Sequence, residues 1–344
     1  MTYGQERQAR RLQAACQLKI SWERALMFKR FLGGILAVCS MAAYAAYPDR
    51  PIQLIVPYSA GGIADIMARH IAQELSDSLN TSVIVQNKGG ANGIIGTQAV
   101  ASAKPDGYTI LFTPNTPLSL NPLLRKNLPY SPTKDLEILS VLVESPIVVL
   151  ARPQLGLKTL KDMASLAATK EGGLNYSAVS APGQLTLSMD KIRGALGFDM
   201  TSVPYSGAGQ AMNALLAGDV DISVNALGLA LPQIKAGKAT ALAVGTSERL
   251  KELPEVETVV ETIPDFNVSM WYSLSVPAGI PSEAREALLS AFQELPKSAP
   301  LQDLFARNYL MVAPQRSPAQ LREFLVEDLK RWKKIIDDAG IKPV

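Results

Sequence analysis

Pro57-Tyr58-Ser59-Ala60-Gly61-Gly62-Ile63-Ala64-Asp65 decides how this chain folds. The apolar run before it, Ile52-Gln53-Leu54-Ile55-Val56, has the composition of a buried parallel strand. After it, Ile63, Met67, Ile71 and Leu75 recur along one face of a helix. The quoted stretch is therefore a strand end, a glycine turn and a helix start. Glycine lets a ligand approach the backbone closely. A helix start supplies unpaired N–H groups and the positive end of the dipole. A small anion suits that geometry. Gly61 and Gly62 are expected to bring amides to a carboxylate, and a valine at 62 to meet an unfavourable backbone angle. Asp65 has two readings of similar weight: it orients the turn, or it meets a ligand amine.

The pattern repeats outward from this turn. Strand candidates are Val83–Val85, Tyr108–Phe112, Ile147–Leu150, Leu174–Val179, Thr201–Val203, Val220–Val224, Ala239–Val244 and Ser273–Val276. Helical patterns separate most of them. Thr159-x-x-Asp162 is a capping box opening one. Ala208 to Ala217 is another, stopped by Gly218. Ser317-Pro318-x-Gln320 opens a third, with Leu321, Phe324, Leu325, Leu329, Trp332 and Ile336 on one face and Gly340 at its end. Alternating strands and helices imply an α/β fold with mostly parallel sheets.

In such sheets ligands bind at the carboxyl ends of strands. Small and polar residues gather there: Tyr58 to Gly62, Asn115, Ser180-Ala181-Pro182-Gly183-Gln184, Tyr205-Ser206-Gly207 and Asn225. Any one such loop is an ordinary turn. Together they describe a neutral cleft rich in hydrogen-bond donors. The candidate ligand-binding residues are Tyr58, Ser59, Gly61, Gly62, Asp65, Asn115, Ser180, Gly183, Gln184, Tyr205, Gly207 and Asn225.

The amino-terminal region reads as a leader. Met27-Phe28-Lys29-Arg30 is a basic segment, Phe31 to Ala43 is apolar but shorter than the ~20 residues of a membrane span, and Ala43-Tyr44-Ala45 fits a cleavage site. On this reading 27–45 is a signal peptide, 1–26 an over-called start, and the mature chain begins at Ala46. Leu36-Ala37-Val38-Cys39 is a faint lipobox that Val38 argues against. The chain has 34 Lys/Arg and 31 Asp/Glu, of which residues 1–45 hold seven and two, leaving 46–344 at a net charge of −2. That balance gives no reason to expect nucleic acid as a partner. Both cysteines, Cys16 and Cys39, fall in the leader, so no disulfide is expected in the mature chain.

Catalytic signatures are missing. His70 is the only histidine and reads as a surface or packing residue. One histidine and no mature cysteine exclude common triads and zinc sites, and no G-x-S-x-G elbow occurs. Ala91-x-Gly93-x-x-Gly96 imitates a dinucleotide fingerprint without its first glycine. A tight turn packing a helix on a sheet is the preferred reading. Trp271 and Tyr272 are expected to pack at a hinge.

The chain resembles the substrate-binding proteins of tripartite tricarboxylate transporters, the Bug receptors, over Tyr47 to Ile341. The resemblance rests on Pro57 to Asp65, Asn87 to Gly96, Pro105-Asp106-Gly107-Tyr108-Thr109, Val203-Pro204-Tyr205-x-Gly207, Ala217 to Asp221, Ile234 to Lys238, Leu242 to Arg249, and Trp271-Tyr272 leading into Val276 to Gly279. Gly90, Asn92, Gln184 and Ser273 depart from the usual pattern. The resemblance implies a type II periplasmic-binding-protein fold with two lobes and a central cleft. Lobe 1 would combine 46–143 with 273–344, and lobe 2 would be 144–272, with crossings near 144–147 and 267–273. It implies a periplasmic monomer, without cofactor or metal, that is not an enzyme. Backbone amides, hydroxyls and water would hold a small carboxylate for delivery to the membrane permease subunits. The alternatives are an exported α/β enzyme or dinucleotide binder, or a receptor feeding a membrane sensor.

Overall fold

A computed structural model describes residues 47–343, apart from 180–182, 206, 265 and 267. The leader reading and Ser180 lie outside the described residues. In chain order the first elements are β1 (Ile52–Val56), α1 (Ile63–Leu79), β2 (Val83–Asn87), α2 (Ile94–Ala101), β3 (Thr109–Pro114), α3 (Asn121–Leu124) and β4 (Leu136–Ala151). Then come α4 (Leu160–Thr169), β5 (Leu174–Val179), α5 (Gln184–Leu196), β6 (Met200–Tyr205), α6 (Ala208–Ala217), β7 (Ile222–Ala226), α7 (Leu227–Lys235) and β8 (Thr240–Val244). The last are α8 (Val259–Thr262), β9 (Ser269–Pro277), α9 (Ser282–Glu294), α10 (Ala299–Arg307), β10 (Met311–Val312) and α11 (Pro318–Asp338).

The strands form two lobes along one continuous path, β2-β1-β3-β9-β4-β7-β5-β6, with β8 and β10 also paired to β4. In lobe 1, β1 pairs in parallel with β2 and β3, and β9 runs antiparallel between β3 and β4. In lobe 2, β5 pairs in parallel with β6 and β7, while β7 and β8 run antiparallel to β4. The parallel strands are apolar on both faces because helices cover both. In β1, Ile52, Leu54 and Val56 pack with Met67, Ile71 and Leu75 of α1, and Ile55 packs on the other side with Val100 and Leu325. Met67, Ile71 and Leu75 are fully buried, and each contributes about 1.5–3 kcal/mol of hydrophobic stabilisation. α1 stops at Asn80, whose left-handed backbone (φ 50°) returns its N–H to the Ser76 carbonyl.

β4 is the element that links the lobes. Pro146 lies opposite Ser269 of β9, whereas Ile147, the next residue, lies opposite Ala226 of β7. The chain comes back beside the same point: Gly245 N–H donates to the Ile147 carbonyl (2.9 Å), and Val268 N–H donates to the Gly245 carbonyl (3.1 Å). A Cβ on Gly245 would sit 2.5 Å from Ile147 Cγ1 and 2.6 Å from the Val268 carbonyl, so only glycine fits between the two crossings. Sequence reading gave β4 as Ile147–Leu150 alone. Its first eleven residues carry two register shifts, between Ile138 and Ser140 and between Val141 and Val143, which destroy strict alternation.

α11 touches both lobes. Leu321 and Leu325 pack with Ile138, Val141 and Trp271, while Trp332, Ile335 and Ile336 join the cluster containing Met189, Ile192 and Tyr176. Lys191 of α5 pairs with Asp338 at its far end (2.7 Å). The lobe 1 segment expected from sequence thus ends against lobe 2. The expected capping box forms, Thr159 Oγ1 accepting from Asp162 N–H (3.1 Å), and the expected start of α11 is capped in the same way, Ser317 Oγ accepting from Gln320 N–H (3.3 Å). Among the described residues no helix is long and apolar enough to cross a membrane.

Candidate functional site

Three helices begin where parallel strands end: α1 after β1, α5 after β5 and α6 after β6. Their N-cap residues are Gly62, Gly183 and Gly207, and none has a side-chain cap. By contrast, α4, α10 and α11 are capped by Thr159, Ser298 and Ser317. A first turn without a cap keeps its N–H groups available to a ligand, at the positive end of the helix dipole. All three glycine caps are in extended backbone, at φ −80°, −132° and −167°. Their lack of a side chain is therefore what matters, not an unusual dihedral angle.

These three starts face one cleft of about 370 Å³ between the lobes. Of the residues expected from sequence, Tyr58, Gly62, Asn115, Gly183, Gln184 and Gly207 line it. Ile63, Asn92, Thr116, Leu185, Met270 and Tyr272 line it as well. No charged side chain is among the lining residues described. Burial pushes the Tyr272 phenol up to about 12, and burial beside Tyr272 and Tyr130 raises that of Tyr58. Both phenols are neutral at physiological pH, so neither repels an anion.

Two side chains mark the cleft most sharply. Asn115 follows β3 in lobe 1 and is fully buried; Gln184 opens α5 in lobe 2 and is 6% exposed. Both amide atoms of each lack a hydrogen-bond partner. A buried polar group without a partner costs about 1–3 kcal/mol, so two facing one cleft point to a solute that completes them. Asn115 also precedes a single π-type turn, Thr116–Leu120, a local irregularity frequent at functional sites. Grooves of similar size beside Phe292 and beside Arg249 have no such side chain among their described lining residues.

The other expected residues lie elsewhere. Gly61, at φ +86°, donates its N–H to Asp65 Oδ2 (2.9 Å). Its amide is thus committed to the turn, which corrects the expectation that it faces a carboxylate. Asp65 is buried, and the Gly61 amide holds its carboxyl below the usual range, aided by Arg69 at 3.0 Å and opposed by burial. Of its two sequence readings, this is the turn-orienting one. The unfavourable backbone angle expected at Gly62→Val is also corrected: φ −80° is open to any residue, and a Cβ would meet nothing nearer than the Ser59 carbonyl at 3.8 Å. Ser59 is exposed beside the Gly89 turn. Tyr205 packs between two apolar clusters of lobe 2. Asn225 is buried and donates through Nδ2 to Ser223 Oγ (2.7 Å), which bonds Ser177 Oγ (2.7 Å) and ties β7 to β5.

The fingerprint-like segment is a packing joint. A Cβ on Gly96 would lie 2.6 Å from the Lys88 carbonyl and 2.7 Å from Pro57 Cα, so α2 rests directly on the end of β1. His70 is exposed. The aromatic pair of β9 divides as strand alternation requires. Trp271 is buried, donates Nε1–H to Asp328 Oδ2 (3.1 Å) and packs against Phe324, while Tyr272 lines the cleft and stacks on Phe112. Met270 and Tyr272 were missed as site residues, although their i, i+2 spacing in the strand places them on one face.

Two α/β lobes, a double crossing and a cleft ringed by helix starts define a solute-binding receptor of the type II periplasmic-binding-protein fold. The family model described as tripartite tricarboxylate transporter family receptor matches residues 67–341, and the chain belongs to that family. BugT of Bordetella pertussis is 31% identical over 316 residues, covering 90% of this chain and 97% of BugT. The solved structure of the periplasmic binding protein BugD is 29% identical, with a TM-score of 0.72 over 87% of this chain and all of that one. MatC from Rhodopseudomonas palustris, solved with bound malate, is 30% identical, with a TM-score of 0.71 over 84% of this chain and 100% of its own.

Proposed function

We propose that the chain captures a small carboxylate in the inter-lobe cleft, in the periplasm, and presents it as a monomer to a tripartite tricarboxylate-type permease. The observation that carries this is the convergence of three glycine-started helices with the unpartnered Asn115 and Gln184. Backbone N–H groups and neutral amides can hold a carboxylate without a cationic side chain. The malate in MatC is consistent with this class of ligand. The lobes turn about the paired crossings at Pro146–Ile147 and Val268 to close on the solute, as two-lobed receptors do. An enzymatic role has little support: among the described residues no cluster of His, Cys, Asp and Glu could hold a metal, and no charged group lines the cleft to move a proton. The packing of Gly96 on Pro57 weakens the dinucleotide reading. Native mass spectrometry of protein purified from periplasm tests the proposal. A bound molecule bearing a carboxyl group is expected; a bound molecule without one would overturn it.

A further inference from the structure

Tyr309 ties the lobes together outside the cleft. It follows α10 in lobe 1 and has φ +52°. Its N–H donates to the Ala306 carbonyl (3.2 Å), and the Leu310 N–H donates to the Phe305 carbonyl (2.9 Å). That pair of bonds closes a helix with one residue in the left-handed region, a place usually filled by glycine. A large aromatic residue is disfavoured there by its own backbone. Strain of this kind persists where the surrounding structure imposes it. Here the surroundings belong to the other lobe.

The ring packs, partly buried, against the lobe 2 cluster that includes Val148, Leu227, Ala230, Leu231 and Val244. Lys235 Nζ, at the end of α7, stands 5.8 Å from the ring centroid, within cation–π reach. The neighbouring backbone makes a second contact. A Cβ on Gly228, in the first turn of α7, would lie 2.7 Å from the Asn308 carbonyl oxygen. Glycine therefore lets α7 meet the end of α10 at backbone distance. Asn308 and Tyr309 of lobe 1 are thus both seated on one helix of lobe 2. Neither is among the described lining residues of the cleft. The crossings are covalent, whereas this contact can part.

We infer that Tyr309 is a conformational strut: its ring, rooted in lobe 2, biases the lobes toward the separation seen here and so sets solute affinity from outside the cleft. Lobes that turn about the crossings must break or slide this contact. A contact made in one arrangement and lost in another shifts the balance between the two. The apparent affinity for a solute follows the population of the arrangement that binds it. The strut presupposes the lobe motion proposed above, while the carboxylate reading is judged separately by the mass of the co-purified solute.

Double electron–electron resonance between two spin labels tests this in protein without added solute. Cys16→Ser and Cys39→Ser remove the native thiols. His70→Cys in α1 and Ser202→Cys in β6, both exposed positions, then place one label on each lobe. Tyr309→Gly removes the ring and relieves the backbone, and Gly228→Ala wedges the same contact from the lobe 2 side. Each is expected to shift the population ratio between the wild-type label separation and other separations by about fivefold or more, with an unchanged circular dichroism spectrum. Tyr309→Phe keeps the packing and is expected to match the wild type. A wild-type distance distribution in folded Tyr309→Gly protein would overturn the inference, whatever its melting temperature, because a merely structural tyrosine changes stability and not lobe separation. The same distribution in folded Gly228→Ala protein would overturn it too, and that variant decides alone if Tyr309→Gly does not fold. A shift in Tyr309→Phe as large as that in Tyr309→Gly would also overturn it, since the ring would then not be what holds the lobes.

Discussion

Asp328 shows how a single residue can hold the lobe 1 face of α11 at a cost. It is 2% exposed, accepts from Ser119 Oγ (2.6 Å) and Trp271 Nε1 (3.1 Å), and lies 3.3 Å from Arg331 Nη1. Burial raises its carboxyl, outweighing those three partners, and Glu144 adds to the rise. A carboxyl raised in the folded state binds its proton more tightly there than in the unfolded chain. Its contribution to stability therefore declines as pH climbs from the unfolded value, about 3.9, through the raised folded one. Asparagine keeps an acceptor for Ser119 and Trp271 without the buried charge. Asp328→Asn is thus expected to melt at or above the wild-type temperature at pH 8, with the advantage shrinking at pH 4. Thermal melts at the two pH values check this; a variant markedly less stable at pH 8 would mean the charge itself is needed. Sequence placed Asn115 and Gln184 correctly at strand ends, yet could not show that both are buried without partners, because burial and pairing depend on residues distant in the chain. It overreached at Gly61, since an i to i+4 bond donated by a turn amide to Asp65 leaves no periodic trace.

At the scale of elements, the legible features were those written locally. Capping boxes, glycine stops and the apolar face of α1 each sit within one helix, so their residues alone specify them. β4 was not legible before Ile147, because its bulges and Pro146 break the period of two and its pairing with β9 joins residues more than a hundred positions apart. The helix starts make a sharp prediction. Gly207 has φ −167°, and a Cβ there would meet nothing within 4 Å. Gly207→Asp should fold with stability changed by no more than about 0.5 kcal/mol, since aspartate is a good N-cap. The same carboxylate would occupy the amides offered to the solute and repel it, lowering affinity by at least about a hundredfold. Urea unfolding beside calorimetry measures both; undiminished affinity in the folded variant would remove α6 from the site.

The two crossings meet at Gly245, between Ile147 and Val268. A methyl group there must displace the Val268 carbonyl and Ile147, at a cost of about 1–3 kcal/mol. Gly245→Ala should therefore lower the urea midpoint, and in small-angle scattering it should blunt the decrease in radius of gyration expected of the wild type on adding its solute. An unaltered decrease would mean the lobes turn elsewhere. The α/β architecture was legible from the order of strands and helices, and the two lobes followed from the resemblance to the receptor family. The embrace of both lobes by α11 was not, because Leu321, Leu325, Trp332 and Ile336 form one continuous apolar face and nothing in that face marks where one core gives way to the other. The most direct test of the account is a crystal structure with the co-purified solute in place. A carboxylate is predicted within about 2.7–3.1 Å of first-turn N–H groups of α1, α5 or α6, with Asn115 and Gln184 both hydrogen-bonded to the same molecule. A solute seated outside this cleft, or one that leaves both amides without partners, would contradict it.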